Sequence, residues 1–237
     1  NTRAAFENAL NAGFDGVELD LRLSRDGEPF LFHDDTGKRL LNHKGRMDRL
    51  LAEELKQLRF LESSPHEKGA EQENTEATSE RVPLLEEILD LLREFREVNL
   101  EIKETAPRKV ERMLQPLMQP SWQIPSHWVV SSFLPTVVEQ SKRAGFRTGL
   151  LVNGRPSHYY KNLNPELFDQ WHLAIESDTP ETLEALRREF SKPIWLFTAH
   201  SQEEWTRAEQ MQPDGIISEW LPRSNQGLDS TTHHPTS

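Results

Sequence analysis

The feature that most restricts the fold is a beat that repeats from residue 98 to residue 218: a short apolar run, a polar connection, then helical spacing of apolar residues. Apolar runs at 98–102, 128–133, 147–152, 171–176, 193–199 and 214–218 read as strands, and the stretches 109–118, 135–144, 180–190 and 202–211 read as helices. Strands alternating with helices of about ten residues make βα units and a mainly parallel sheet. With the run at 17–23, seven parallel strands are expected, centred near residues 19, 100, 130, 150, 173, 196 and 216. The implied fold class is α/β, a (β/α)8 TIM barrel whose first strand lies upstream of Asn1. The chain opens without methionine on Asn1-Thr2-Arg3-Ala4-Ala5-Phe6, so its natural N-terminus is expected to be missing, leaving this chain inactive and poorly stable.

Phe6, Leu10 and Phe14 are spaced by four among alanines, predicting a helix to about residue 12 with Gly13 as its stop. Val17, Leu19, Leu21 and Leu23 then alternate with Glu18, Asp20, Arg22 and Ser24, the period of a strand, so Glu18 and Asp20 share a face. Arg25-Asp26-Gly27-Glu28 is turn chemistry, and Pro29 to His33 reads as the returning arm of a hairpin. Residues 46–61 suggest a charged amphipathic helix, 62–81 a mobile acidic surface loop, and 84–92 a helix preceded by Pro83. One barrel domain is expected over 1–222, followed by a disordered tail at 223–237.

A formal net charge of −11 argues against nucleic acid or an anionic membrane surface as partner, so an anionic ligand must be bound by a metal or by a few placed cations. The absence of cysteine excludes disulfides, thiolate catalysis and Cys-ligated zinc. No apolar run approaches a membrane span and no signal-like segment opens the chain; no stable membrane insertion and a cytoplasmic location are the expectations.

Acids on the polar face of a half-buried strand are ordinary, but strands of a parallel barrel are covered on both faces, so a carboxylate pair at a strand end is costly unless paired or metal-bound. Glu101 recurs at the same place in Leu100-Glu101-Ile102-Lys103. Glu18, Asp20 and Glu101 together favour a hard divalent cation, Mg²⁺ or Ca²⁺. His33, beside Asp34 and Asp35, can move a proton near neutral pH. Lys103 suits a phosphate contact or a counter-ion to Glu101. Ser132, at the end of a strand, and His200, after the run ending at Ala199, complete the expected pocket face and rim.

The order Gly13-Phe14-Asp15-Gly16-Val17-Glu18-Leu19-Asp20, Ser24-Arg25-Asp26-Gly27, His33-Asp34, Val82-Pro83-Leu84-Leu85-Glu86-Glu87, Asn99-Leu100-Glu101-Ile102-Lys103, Ser131-Ser132-Phe133 and Asp214-Gly215-Ile216-Ile217-Ser218-Glu219 resembles the glycerophosphodiester phosphodiesterase family over nearly the whole chain. The resemblance implies hydrolysis of small-molecule glycerophosphodiesters to glycerol 3-phosphate and an alcohol, in phospholipid and glycerol metabolism, with Mg²⁺ or Ca²⁺. It implies metal ligation by Glu18, Asp20 and Glu101, acid/base work by His33, and phosphate contact by Lys103. Direct attack by water and attack by a glycerol hydroxyl to give a cyclic phosphate both fit these residues. The family's His-Arg-Gly motif and Pro-Glu pair fall upstream of Asn1. Its Trp-Thr-Val-Asn appears here as Phe197-Thr198-Ala199-His200 and its Thr-Asp as Ser218-Glu219, so Phe197 and His200 enter as substrate contacts of altered identity. Two rival functions are a related barrel phosphodiesterase of the phospholipase kind, which needs an exposed apolar rim, and a catalytically silent module that keeps a metal-and-phosphate pocket.

Overall fold

The computed structural model describes residues 1–41, 43–61, 77–154, 164–176 and 178–220. Helix α1, Arg3–Asn11, starts behind Thr2, whose Oγ1 accepts from the Ala5 amide at 3.2 Å, and it stops before Gly13, where φ is +79°. Strand β1, Gly16–Leu23, turns back into β2, Pro29–Leu31. After α2, Ala52–Leu55, come β3, Arg59–Leu61, and β4, Ala77–Arg81. Next are α3, Leu89–Leu92, and then the beat of strands and helices: β5, Glu97–Ile102; α4, Pro107–Leu117; β6, Val129–Ser132; α5, Pro135–Arg143; β7, Arg147–Val152. It ends with β8, Gln170–Ala174; α6, Pro180–Phe190; β9, Ile194–Ala199; α7, Gln202–Gln210; β10, Gly215–Ser218.

Seven parallel strands and the antiparallel β2 form one sheet in the order β10-β9-β8-β7-β6-β5-β1-β2. The seven are those the sequence predicts. Among the described residues no strand pairs with the outer edge of β10, so the sheet curls as an incomplete barrel around a cavity lined by both β10 and the start of β1.

Two expectations for the long excursion between β2 and β5 are corrected. Residues 46–61 are not one helix. The Leu50 carbonyl accepts from the Arg25 amide at 2.9 Å and the Ala52 amide donates to Asp26 Oδ1 at 3.0 Å, so the hairpin turn captures backbone groups a continuous helix would need. Met47, Ala52 and Leu55 still reach the core, against Phe30, Phe32 and Leu41. The end of the acidic stretch is also not loop, since Ala77–Arg81 pairs with Arg59–Leu61. The remainder, 62–76, and the tail at 223–237 lie outside the described residues. No helix among the described residues is long and apolar enough to cross a membrane.

The outer face of the sheet carries the packing. Leu19, Leu21 and Leu23 of β1 and Val98, Leu100 and Ile102 of β5 pack with Val110, Met113 and Leu114 of α4. A second cluster joins Leu150 and Val152 to Trp171, Leu173, Leu183, Leu186, Ile194 and Leu196. By the two-residue period the inner face then receives Glu18, Asp20, Asn99, Glu101, Ser131, Gln170 and His172. Room for two large inner side chains comes from glycine. A Cβ on Gly149 would lie 2.8 Å from His172 Nε2, and one on Gly215 would lie within 2.6 Å of the Trp195 ring.

His172 is fully buried, accepts at Nε2 from Gln170 Nε2 at 2.6 Å, and stacks on Trp195. Burial, with a smaller push from the Arg147 cation, brings its imidazole down to about 3 from the ordinary 6.5. The unfolded chain takes up this proton below pH 6.5 and the folded chain does not until about pH 3. The stability tied to neutral His172 is therefore complete above pH 6.5 and is lost as the pH falls towards 3. Urea unfolding measured across that interval should show a shallower acid decline for His172→Gln than for the wild type; parallel declines would place His172 in contact with water.

Candidate active site

The acidic cluster is a consequence of register. In the parallel ladder Glu18 stands opposite Asn99 and Asp20 opposite Glu101, so three carboxylates from two adjacent strands enter one end of the curled sheet. One oxygen of each of Glu18, Asp20 and Glu101 lies within 4.8 Å of the others. Lys103 Nζ donates to Asp20 Oδ1 at 2.9 Å and to Glu101 Oε1 at 2.5 Å. On the other side of Asp20, Asn1 Nδ2 donates to Oδ2 at 2.5 Å while the Asp20 amide donates to Asn1 Oδ1 at 2.8 Å. The Asn1 side chain thus takes the place of a ladder partner along the β1 edge. Sequence reading gave it no role, because only the fold brings it to Asp20.

Burial first, and then the neighbouring Asp20 and Glu101, raises the Glu18 carboxyl well above the usual carboxylate range. Glu101 is raised as well, mainly by burial and in spite of Lys103. For Lys103, burial acts against the ammonium, but the attraction of Glu101 and Asp20 outweighs it and holds the group above its ordinary value. The Lys103 ammonium answers at most one of the three carboxylates, and the buried Glu18 Oε1 has no hydrogen-bond partner. An all-oxygen and partly unsatisfied donor set is what a hard divalent cation requires. The three residues could hold such an ion.

His33 follows β2. Its Nδ1 meets Asp34 Oδ1 at 2.7 Å, and Asp34 in turn accepts from Arg39 Nε at 2.8 Å and Nη2 at 2.9 Å. The Arg39 guanidinium is the largest influence holding the Asp34 carboxyl below its ordinary value. With Asp34 as acceptor, Nδ1 carries the proton and Nε2 is left for other chemistry. A cavity of about 1430 Å³ has Glu18, Asp20, His33, Glu101, Lys103 and Phe197 in its lining. Six of the eight residues singled out in the sequence therefore meet in one place.

Ser132 is not one of them. The period of β6 turns Ser131 and Phe133 inward and Ser132 away, where its Oγ donates to the Ile102 carbonyl at 3.0 Å. Phe133 is the neighbour that does line the cavity, with its ring 5.9 Å from Lys103 Nζ and edge-on to Phe197 at 5.8 Å. Counting by two from Val129 would have found it. His200 is exposed beside the cavity and does not line it; its Nδ1 meets Glu219 Oε2 at 3.0 Å, and Glu219 is the lining residue.

Comparison with known proteins agrees with this architecture. The profile of the Glycerophosphoryl diester phosphodiesterase family matches residues 1–220. A glycerophosphodiester phosphodiesterase of Caldanaerobacter subterraneus subsp. tengcongensis is 26% identical over 92% of this chain and 88% of its own length. One of Bacillus altitudinis is 36% identical over 56% of this chain and 52% of its own. Among solved structures, an Oleispira antarctica phosphodiesterase in complex with the product sn-glycerol-3-phosphate superposes with a TM-score of 0.78 at 22% identity, covering 93% of this chain and 87% of that one. At these identities the structural likeness speaks for the barrel fold.

If the three carboxylates take up a divalent ion, Mg²⁺ or Ca²⁺ should raise the thermal unfolding midpoint of the wild type in proportion to the logarithm of its concentration. The combined Glu18→Gln and Asp20→Asn variant should show no such rise, and calorimetric titration should detect no binding to it. An equal rise in both proteins would move the ion elsewhere.

Proposed function

Because this chain belongs to the glycerophosphoryl diester phosphodiesterase family, a family of phosphoric diester hydrolases, we propose that it hydrolyses small-molecule glycerophosphodiesters to glycerol 3-phosphate and an alcohol, in phospholipid and glycerol turnover. The observation that carries this reading is the meeting of Glu18, Asp20, Glu101, Lys103 and His33 on one cavity. An oxygen-rich cation site, an ammonium and an imidazole are the parts that a phosphate diester needs in order to be bound, polarised and cleaved.

Glu18, Asp20 and Glu101 would hold a divalent cation, Mg²⁺ or Ca²⁺, which when bound polarises the phosphoryl oxygens. Lys103, which donates to Asp20 and Glu101, would offer its ammonium to the phosphate beside an ion held by those carboxylates. His33 moves the proton. In the net reaction the bond between phosphorus and the alcohol oxygen breaks, a water oxygen bonds to phosphorus, and the alcohol leaves protonated. Nε2 of His33 is suited to taking or giving that proton because Asp34 fixes Nδ1. Phe197, with Phe133 against it, and the His200–Glu219 pair at the rim are assigned to the substrate's glycerol and alcohol portions.

In the intact, full-length protein, replacing His33 by Ala should lower turnover of glycerophosphocholine by about 10² to 10⁴, the usual worth of a general acid/base, while the affinity for Mg²⁺ or Ca²⁺ stays within a factor of about two. Product analysis belongs in the same assay. Glycerol 3-phosphate with free choline is expected, whereas phosphocholine with glycerol would reverse the assignment of the leaving group. Loss of metal together with activity would make His33 a ligand instead.

A further inference from the structure

His33 stands where the β1–β2 ladder has ended. The last paired residue of β2 is Leu31, and the Phe32 amide makes one further bond, to the Asp20 carbonyl at 3.1 Å. Beyond that, the backbone at His33 is held by a side chain. Arg22, buried on the inner face of β1 two residues after Asp20, donates to the His33 carbonyl from Nε at 3.0 Å and from Nη2 at 2.7 Å. Its remaining nitrogen, Nη1, meets Asp35 Oδ1 at 2.8 Å. All three guanidinium nitrogens are spent on the three-residue stretch centred on Asp34.

We propose that Arg22 is a positioning residue for the phosphodiester reaction: it sets the His33 imidazole at the cavity by gripping the His33 carbonyl and the Asp35 carboxylate. A buried guanidinium is expensive to keep, and one that turns two donors on a single carbonyl gains from the planar fork that lysine lacks. The grip has a firm base. Asp35 also faces Arg46 at 3.9 Å, Arg46 pairs with Asp48 at 2.9 Å, Asp48 with Lys109 of α4 at 2.7 Å, and Lys109 with Glu104 at 3.1 Å. Glu104 Oε1 accepts from the Leu23 amide at 3.2 Å, which closes the circuit on the residue after Arg22. From the other side Arg39 clamps Asp34, which fixes the ring of His33. Arg22 thus governs where the imidazole is, and Asp34 with Arg39 governs how it is turned.

The proposal rests on His33 as the acid/base, so His33→Ala is measured beside the Arg22 variants in the intact protein. Arg22→Met should lower kcat on glycerophosphocholine by about 10²-fold, the cost of displacing a catalytic group by about 1 Å. KM and the calorimetric dissociation constant for Mg²⁺ or Ca²⁺ should stay within about a factor of two, because no metal or phosphate contact is removed. Arg22→Lys should recover part of kcat. A folded Arg22→Met with wild-type kcat, while His33→Ala is crippled, overturns the positioning role and leaves the site reading intact; an unimpaired His33→Ala overturns the site reading itself. A rise in KM or loss of metal in Arg22→Met also overturns the proposal. Should that variant fail to fold, Arg22→Lys decides alone, a partial loss of kcat at constant KM being expected and wild-type kcat overturning it.

Discussion

Everything at the active end depends on keeping three carboxylates and one ammonium inside a protein. Asp20 and Glu101 are each only 5% exposed, and Lys103 between them answers at most one of their charges. Removing a carboxylate from water costs several kcal/mol unless something replaces the hydration, and the partner distances of 2.9 and 2.5 Å around Lys103 are that replacement. For Glu18 it is incomplete. Its raised carboxyl and unpartnered Oε1 are the two faces of one deficit, which either a proton or a cation relieves. The residue least comfortable in the protein alone is thus the one most ready to take a ligand.

The means of gathering these charges is the parallel ladder between β1 and β5. A register one residue different would turn Glu101 under the helices and bring Leu100 to the cavity, exchanging the charged and packed faces at once. The leucines and valines of both strands oppose that exchange by their packing on α4, so the hydrophobic cluster that stabilises the sheet also enforces the acidic cluster. The β1–β2 hairpin adds the imidazole. It does so through charged side chains, since the ladder is too short to carry order as far as His33.

Much of this was legible in the chain. Alternation in β1 placed Glu18 and Asp20 on one face, and the beat from Val98 onward gave all the later strands within a residue or two of their observed ends. What was missed involves residues distant in sequence. The backbone around Leu50 and Ala52 is claimed by Arg25 and Asp26, so the expected helix breaks. Asn1 reaches Asp20 and Arg22 reaches His33, pairings that no spacing encodes. Ser132 in place of Ser131 and Phe133 was a different failure: both faces of a buried parallel strand carry uncharged residues there, so polarity gave no sign of which points inward.

The inner face below the carboxylates shows how the two demands on the sheet are divided. Barrel interiors are commonly packed with branched aliphatic residues, whereas here Asn99, Ser131, Gln170 and His172 occupy inner positions, and each has a buried polar atom without a protein partner. The cavity of about 1430 Å³ reaches Asn99 and Gln170 and has room for water at both, whereas the fully buried His172 does not line it. Hydration from below would soften the burial of Glu18 and Glu101 without adding a cation that would compete for the site. Cohesion is accordingly left to the outer face, in the clusters under the helices, and the inner face is released from packing to hold charge. That division explains why a chain with so acidic a centre can still fold: the residues that face the cavity and the residues that hold the sheet alternate along the same strands and seldom have to serve both ends.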